Sequence, residues 1–223
     1  MASGRPQVRR GACLPGAIPE DWERIRSLAE EIELAPGRCL CVQAELALHA
    51  FLVISGLVKL FRSSSDSRGH VTGLLYPGDF LGFTKTSKVY DSSGQAVVAT
   101  TAWRFRQPQF SDLLRTIPHL QQDLLDLAWR DLEAVRTHML LLAHKSAEQR
   151  LAHFLVQHAS RLNGKRGALH LLITRRDIAG YLGLDPATIS RELGKLQRRE
   201  IIDVPDRKRL LLLQPMVLRQ LAA

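Results

Sequence analysis

The segment Asp185-Pro-Ala-Thr-Ile-Ser-Arg-Glu-Leu-Gly-Lys-Leu-Gln-Arg holds the residue types of this chain best suited to chemistry with another molecule. At helical spacing Ile189, Leu193 and Leu196 share one face, and Ala187, Ser190, Arg191, Gly194, Lys195 and Arg198 share the other. The first face is apolar, the second small and basic. Such a face suits the major groove of double-stranded DNA, where an arginine fork matches the two acceptors of guanine and a serine hydroxyl serves several bases. Ala187, Ser190 and Arg191 are therefore the candidate base contacts. Arg175, Arg176, Thr188, Lys195 and Arg198 surround them, and Arg207, Lys208 and Arg209 follow further on. These are types that hold phosphates and set register without reading sequence. The bland alternative is a basic helix face that is merely solvated; agreement among caps, turn, burial pattern and charge argues against it.

Other chemistries find less support. Three cysteines, Cys13, Cys39 and Cys41, are too few and too clustered for a disulfide framework, and their odd number fits a reducing compartment, so a cytoplasmic location is expected. Cys39 and Cys41 alternate along a predicted strand and are expected to face the same side. They read either as small core hydrophobes or, with Cys13, as redox-sensing thiols. No nucleophile and base pair, metal-ligand spacing or glycine-rich phosphate loop occurs, so neither an enzyme nor a metal site is expected.

The elements that must position these residues can be read in turn. Residues 1–19 are polar and rich in Gly, Pro and Arg, which predicts an irregular arm. Trp22, Ile25, Leu28, Ala29 and Ile32 then recur at helical spacing. From about Leu34 to Phe105 short apolar runs are broken by Pro36-Gly37, Ser55-Gly56 and Pro77-Gly78-Asp79, the pattern of a small antiparallel barrel or roll. Residues 118–143 contain no internal Gly or Pro and predict one long helix. Along it Leu125, Ala128, Leu132, Val135, Met139 and Leu142 alternate three- and four-residue steps, an uncharged seam that favours a second copy of the chain, a constitutive parallel homodimer. The competing use of an amphipathic helix is to lie on its own barrel, and Leu120, Leu124, Leu127 and Leu141 supply a second stripe for that.

Past Lys145 helical spacing continues to about Ser160, a basic loop follows, and residues 169–173 read as a strand. Thr174 with Asp177 three residues on resembles a capping box, opening a helix that stops at Gly183. Asp185 as N-cap and Pro186 at the first helical position start another helix at once. Two short helices joined by a tight turn make a helix-turn-helix. Two apolar runs flanking Pro205-Asp-Arg-Lys-Arg then form a hairpin, which makes the domain winged.

Composition agrees with this division. At 223 residues and 45% hydrophobic content the chain can bury a proper core. The net charge is +9, and from Lys145 onward 15 Lys and Arg stand against 7 Asp and Glu, so the last third suits a polyanionic partner. No run of about eighteen uncharged apolar residues and no secretory leader pattern is present, so no membrane association is expected.

Four segments then carry a resemblance: Phe51-Leu-Val-Ile-Ser-Gly-Leu-Val-Lys, Tyr76-Pro-Gly-Asp-Phe-Leu-Gly-Phe, Lys145-Ser-Ala-Glu-Gln-Arg-Leu-Ala-His-Phe, and Arg175-Arg-Asp-Ile-Ala-Gly-Tyr-Leu-Gly-Leu followed by Ala187-Thr-Ile-Ser-Arg. Over nearly its whole length the chain resembles the CRP/FNR superfamily of transcription regulators, and its later segments resemble the FNR and FixK branch. The resemblance implies an α+β protein: an N-terminal antiparallel β-roll like a cyclic-nucleotide-binding domain (20–117), a long dimerisation helix (118–144) and a C-terminal winged helix-turn-helix (145–223). It further implies activation of promoters by contact with RNA polymerase, from a palindromic operator with TTG-like half-sites. Ala187 stands where that branch usually has Glu; alanine cannot accept from cytosine N4, though its methyl can touch thymine, so reading at one base pair is expected to be altered or relaxed.

The signal is harder to read. Phe83 follows Gly82 where cyclic-nucleotide binders of this superfamily carry Glu, and no arginine lies between Arg68 and Arg104, so cyclic AMP is not expected. A four-cysteine iron-sulfur cluster within one chain is excluded by count. The expectation is no cofactor and control through the protein's own amount. The alternatives are a haem sensor, with His49 and His70 in the roll, a thiol-based redox sensor, or a ligand-binding module whose basic domain serves a protein partner.

Overall fold

The computed structural model describes residues 19–63, 70–82, 88–162, 168–170, 172–206 and 209–223. Cys13, Arg207 and Lys208, named above, lie outside them, as does the arm up to residue 18. In chain order the elements are α1 (Pro19–Ser27), β1 (Glu30–Leu34), β2 (Cys39–Cys41), β3 (His49–Ser55), β4 (Val58–Arg62), β5 (His70–Leu75), β6 (Phe80–Leu81), β7 (Ser93–Ala96), β8 (Thr100–Arg106), α2 (Gln107–Thr116), α3 (Pro118–His144), α4 (Ala147–Arg161), β9 (Ala168–His170), α5 (Arg175–Leu182), α6 (Pro186–Arg198), β10 (Ile202–Asp203), β11 (Arg209–Leu212) and α7 (Pro215–Ala222). The described residues form two compact units, one drawn from the chain up to Ser63 with Gly73–Asp131, the other mostly from Leu132–Ala223.

The first unit is an antiparallel roll of two four-stranded sheets, ordered β1-β8-β3-β6 and β2-β7-β4-β5. The unbroken apolar run in β3 reflects burial on both faces: Ala50 and Leu52 join a core with Ile25, Trp103, Phe105 and Phe110, whereas Phe51 and Val53 enter separate clusters on the other side. Leu120, Leu124 and Leu127 of α3 complete the larger core, so the second stripe of that helix is a buried one. The corner between β3 and β4 needs a glycine. Gly56 has φ of 95°, and a Cβ there would stand 2.4 Å from Thr100 Oγ1.

Helical spacing overreaches in this unit. Ile32 belongs to β1, paired with Ala102 of β8, because α1 ends at Ser27 and edge pairing takes over the residues that follow. The cysteine expectation also needs correction. The β2 register shifts between Cys39 and Cys41, and such a bulge breaks the period of two. Cys39 is exposed and Cys41 buried.

In the second unit, β9, β10 and β11 form a three-stranded antiparallel sheet in the order β10-β11-β9. Its core takes Leu151, Phe154 and Leu155 from α4, Ile178 and Leu182 from α5, and Ile189, Leu193 and Leu196 from α6. The chain continues beyond the hairpin into α7, an element that the pattern of short runs conceals; Pro215 sits in its first turn and Leu218 is fully buried.

Candidate nucleic-acid interface

Local chemistry fixes both helices of the reading head. Thr174 caps α5 by accepting from the Asp177 amide at 3.1 Å, and its hydroxyl donates to the Asp177 carboxylate at 2.7 Å. Gly183 closes α5 in the left-handed conformation, φ 63°. Asp185 caps α6: its carboxylate accepts from the Thr188 amide at 2.8 Å and from the Thr188 hydroxyl at 2.6 Å. These two bonds, the hydroxyl first, hold the Asp185 carboxyl below the usual carboxylate range.

On α6 the faces separate as the spacing predicts. Ile189, Leu193 and Leu196 are buried, Ala187, Arg191, Lys195 and Arg198 are exposed, and Ser190 and Gly194 are half-buried. Arg191 donates from Nη2 to Thr188 Oγ1 at 2.7 Å, so Asp185, Thr188 and Arg191 form a chain of bonds that keeps the guanidinium beside the helix N-terminus. Ser190 donates to the Pro186 carbonyl at 2.9 Å and accepts from Arg175 Nη1 at 3.2 Å, which ties the first turn of α5 to the reading face. Arg176 is exposed. Arg198 lies over Gly194, with Nη1 3.5 Å from where a Cβ would stand.

Several cations here are already paired. Lys195 Nζ is 2.7 Å from Glu192, Arg209 Nε is 2.7 Å from Asp206, and Arg199 Nη1 is 2.5 Å from Glu148 of α4. Arg209 begins β11 rather than capping the hairpin tip. Glu192 is the residue that patterning misses: it is buried within α6, and its Oε2 has no hydrogen-bond partner among the described residues. Its i+3 spacing to Lys195 is the signal that could have found it.

The α3 seam is solvent-facing. Leu125, Leu132, Val135 and Met139 are 51%, 39%, 55% and 66% exposed, Ala128 is exposed too, and Leu142 is half-buried. Trp129 and Leu140 add exposed apolar surface to the same helix.

The candidate sensor residues stand apart. His49 lies on β3, half-buried beside the Tyr90 hydroxyl, and burial with Arg104 and Arg106 nearby pushes its imidazole down. His70 is exposed at the start of β5, in the other sheet. Cys41 donates to the Ser92 carbonyl at 3.6 Å, and burial pushes its thiol up to about 11, which makes it a poor nucleophile. Among the described residues no group of three His, Cys, Asp or Glu could hold a metal ion, and no helix is long and apolar enough to cross a membrane.

Comparison with known proteins agrees with this architecture. Residues 149–221 match the Crp-like helix-turn-helix domain and residues 31–117 the cyclic nucleotide-binding domain. The chain is 33% identical over 207 residues to the transcriptional activatory protein AadR of Rhodopseudomonas palustris, spanning 91% of this chain and 86% of AadR. It is 29% identical over 200 residues to the nitrogen fixation regulation protein FixK of Bradyrhizobium diazoefficiens, spanning 88% and 84%. Among solved structures it is similar to FixK2 from Bradyrhizobium japonicum, with a TM-score of 0.81 and 26% identity over 87% of this chain and 98% of that one.

Proposed function

The chain belongs to the CRP/FNR family of transcription regulators, and from that premise we propose that it acts in the cytoplasm as a constitutive homodimer on a palindromic operator, activating promoters through contact with RNA polymerase. One observation carries the reading. The face of α6 opposite its buried Ile189, Leu193 and Leu196 presents Ala187, Arg191, Lys195 and Arg198 to solvent, with half-buried Ser190 among them, from a helix capped at its N-terminus. Arg191 reads guanine, Ser190 serves a neighbouring base, and Ala187 leaves one pair of a TTG-like half-site loosely specified. Arg175, Arg176, Thr188, Lys195, Arg198, Arg207, Lys208 and Arg209 hold phosphates. The uncharged exposed row on α3 supports pairing of two copies, which sets the recognition helices about 34 Å apart, one turn of DNA. Activation is the role that the name AadR carries, and it is extended to this chain with the homology.

The roll works without a bound cyclic nucleotide in this reading. Its interior beside β7 is filled: a Cβ on Gly94 would stand 3.0 Å from Leu81 Cδ2, 3.5 Å from Cys41 Sγ and 3.6 Å from Val58 Cγ1. No arginine lies between Arg68 and Arg104 to face a phosphate. Control then rests on the amount of protein. Selection of duplexes from a random library by the purified protein tests the proposal. A palindrome with half-sites one turn apart, enriched equally with and without cyclic AMP, is expected. A non-palindromic product, or binding that requires the nucleotide, would overturn it.

A further inference from the structure

Three consecutive residues at the end of α5, Tyr181, Leu182 and Gly183, are gripped from the C-terminal half of α3 and the start of α4, all within the second unit. The Arg150 guanidinium donates from Nε to the Lys145 carbonyl at 2.9 Å, from Nη2 to Leu142 at 2.8 Å and from Nη1 to Leu182 at 3.1 Å. The last carbonyls of a helix have no partner inside it and form the negative end of its dipole. One cation thus closes the ends of α3 and α5 together, and the rigid planar fork of arginine is what lets it reach three acceptors at once. Beside it the His138 ring stacks on Tyr181, centroids 4.3 Å apart at 21°, and its Nε2 is 3.0 Å from the Tyr181 carbonyl. A nitrogen facing a carbonyl must donate, so Nε2 carries the proton. Phe154 of α4 meets Tyr181 edge-on at 6.1 Å, and Leu142 Cδ2 comes within 3.6 Å of the position a Cβ would take on Gly183.

We propose that Arg150 and His138 are positioning residues for DNA reading: they fix the turn of the helix-turn-helix to α3, so that the direction of α3 sets the direction of the recognition helix. Neither side chain lies on the reading face. The turn they hold ends at Asp185, whose carboxylate caps α6, so little slack separates the grip from Arg191. When two chains pair along α3, as proposed above, this grip converts the geometry of the seam into a fixed separation of two reading heads. Any looseness in it appears as tolerance for wrongly spaced half-sites, with each head still able to read its own.

The experiment uses the full-length protein, the duplex it selects from a random library, versions of that duplex with one base pair added or removed between the half-sites, and a duplex with a single half-site. Wild-type protein is expected to prefer the selected spacing by about tenfold or more. Arg150→Gln and His138→Phe proteins are expected to sediment as wild type and to bind the single half-site within about twofold of it, while their spacing preference falls below about threefold. Retention of the wild-type spacing preference in both variants would overturn the inference. Equal loss on single and paired half-sites would also overturn it, because it would mean that the residues only support the fold. His138→Phe keeps the ring stack and removes only the N–H, so it carries the test alone if Arg150→Gln does not fold. This inference rests on the dimer reading, which sedimentation of the wild type checks separately. With a monomeric wild type, amide exchange at Gly183 and Leu184 decides: faster exchange in the variants supports the grip, and unchanged exchange overturns it.

Discussion

Replacing Arg191 with alanine removes the group assigned to guanine while leaving α6 intact, since the side chain is exposed and the Asp185 cap does not depend on it. In the free protein Arg191 donates to Thr188 Oγ1 at 2.7 Å, a bond that must be given up on DNA at a cost of about 0.5–1 kcal/mol. A bidentate contact to guanine contributes about 1–3 kcal/mol. The net contribution is about 0–2.5 kcal/mol per half-site, centred near about 1.3 kcal/mol, and at that centre two half-sites in a dimer lose about 2.5 kcal/mol together, roughly 70-fold in affinity. A scrambled duplex offers Arg191 only a phosphate, so binding there should fall by less than about fivefold. Fluorescence anisotropy at one fixed salt concentration, with selected and scrambled duplexes titrated in parallel, measures both numbers. An Arg191→Ala protein that keeps the wild-type ratio between the two duplexes would refute the reasoning, whatever its absolute affinity.

Val135 is 55% exposed, so Val135→Asp should leave the single chain folded by circular dichroism yet place two carboxylates face to face in the seam; sedimentation at micromolar concentration should show a monomer, and a fully dimeric variant would show that the seam pairs elsewhere. Burial lowers the imidazoles of His138 and His153; the carbonyls of Tyr181 and Ala222 oppose this, while His153 and Arg150 facing the first and Lys145 facing the second reinforce it. The unfolded chain therefore binds more protons than the native one near the ordinary imidazole value of about 6.5, so this part of the stability is complete above that value and is lost as pH falls through the lowered native values. Urea midpoints should drop from about pH 7.5 to about pH 5.5, less steeply in His138→Phe, and a flat profile would contradict the assignment. Alkylation at neutral pH, mapped by peptide mass, should label exposed Cys39 and spare Cys41; prompt labelling of Cys41 in the folded protein would revise its placement in the core.

What could be read in advance was local. Asp185, Pro186, Gly183 and Thr174 act within four residues of themselves, so the boundaries of α5 and α6 and the division of α6 into two faces followed from spacing and cap chemistry. The pair Ser146 and Gln149 is a complete capping box marking the start of α4 and is equally visible in the chain. What stayed hidden depends on partners far away in sequence. Nothing near Arg150 says that it reaches Leu182, and His138 reads as one more helix-surface residue until Tyr181 arrives beneath it. Ile32 continues a helical pattern yet pairs with Ala102, seventy positions on, and the bulge between Cys39 and Cys41 is set by the partner strand β7.

Lys195, Arg199 and Arg209 carry counter-ions supplied by their own chain, and the one serving Lys195 is nearly sealed from water, with the Glu192 side chain only 9% exposed. A cation in that state exchanges one anion for another when it meets a phosphate, and it leaves a buried carboxylate behind if it moves. Attraction to arbitrary duplex is accordingly expected to be weaker than the 15 basic residues after His144 would suggest, with a shallower dependence on salt. A regulator built this way is expected to linger only briefly on the wrong stretch of a chromosome. In the proposed reading its residence time is expected to concentrate where Arg191 meets guanine.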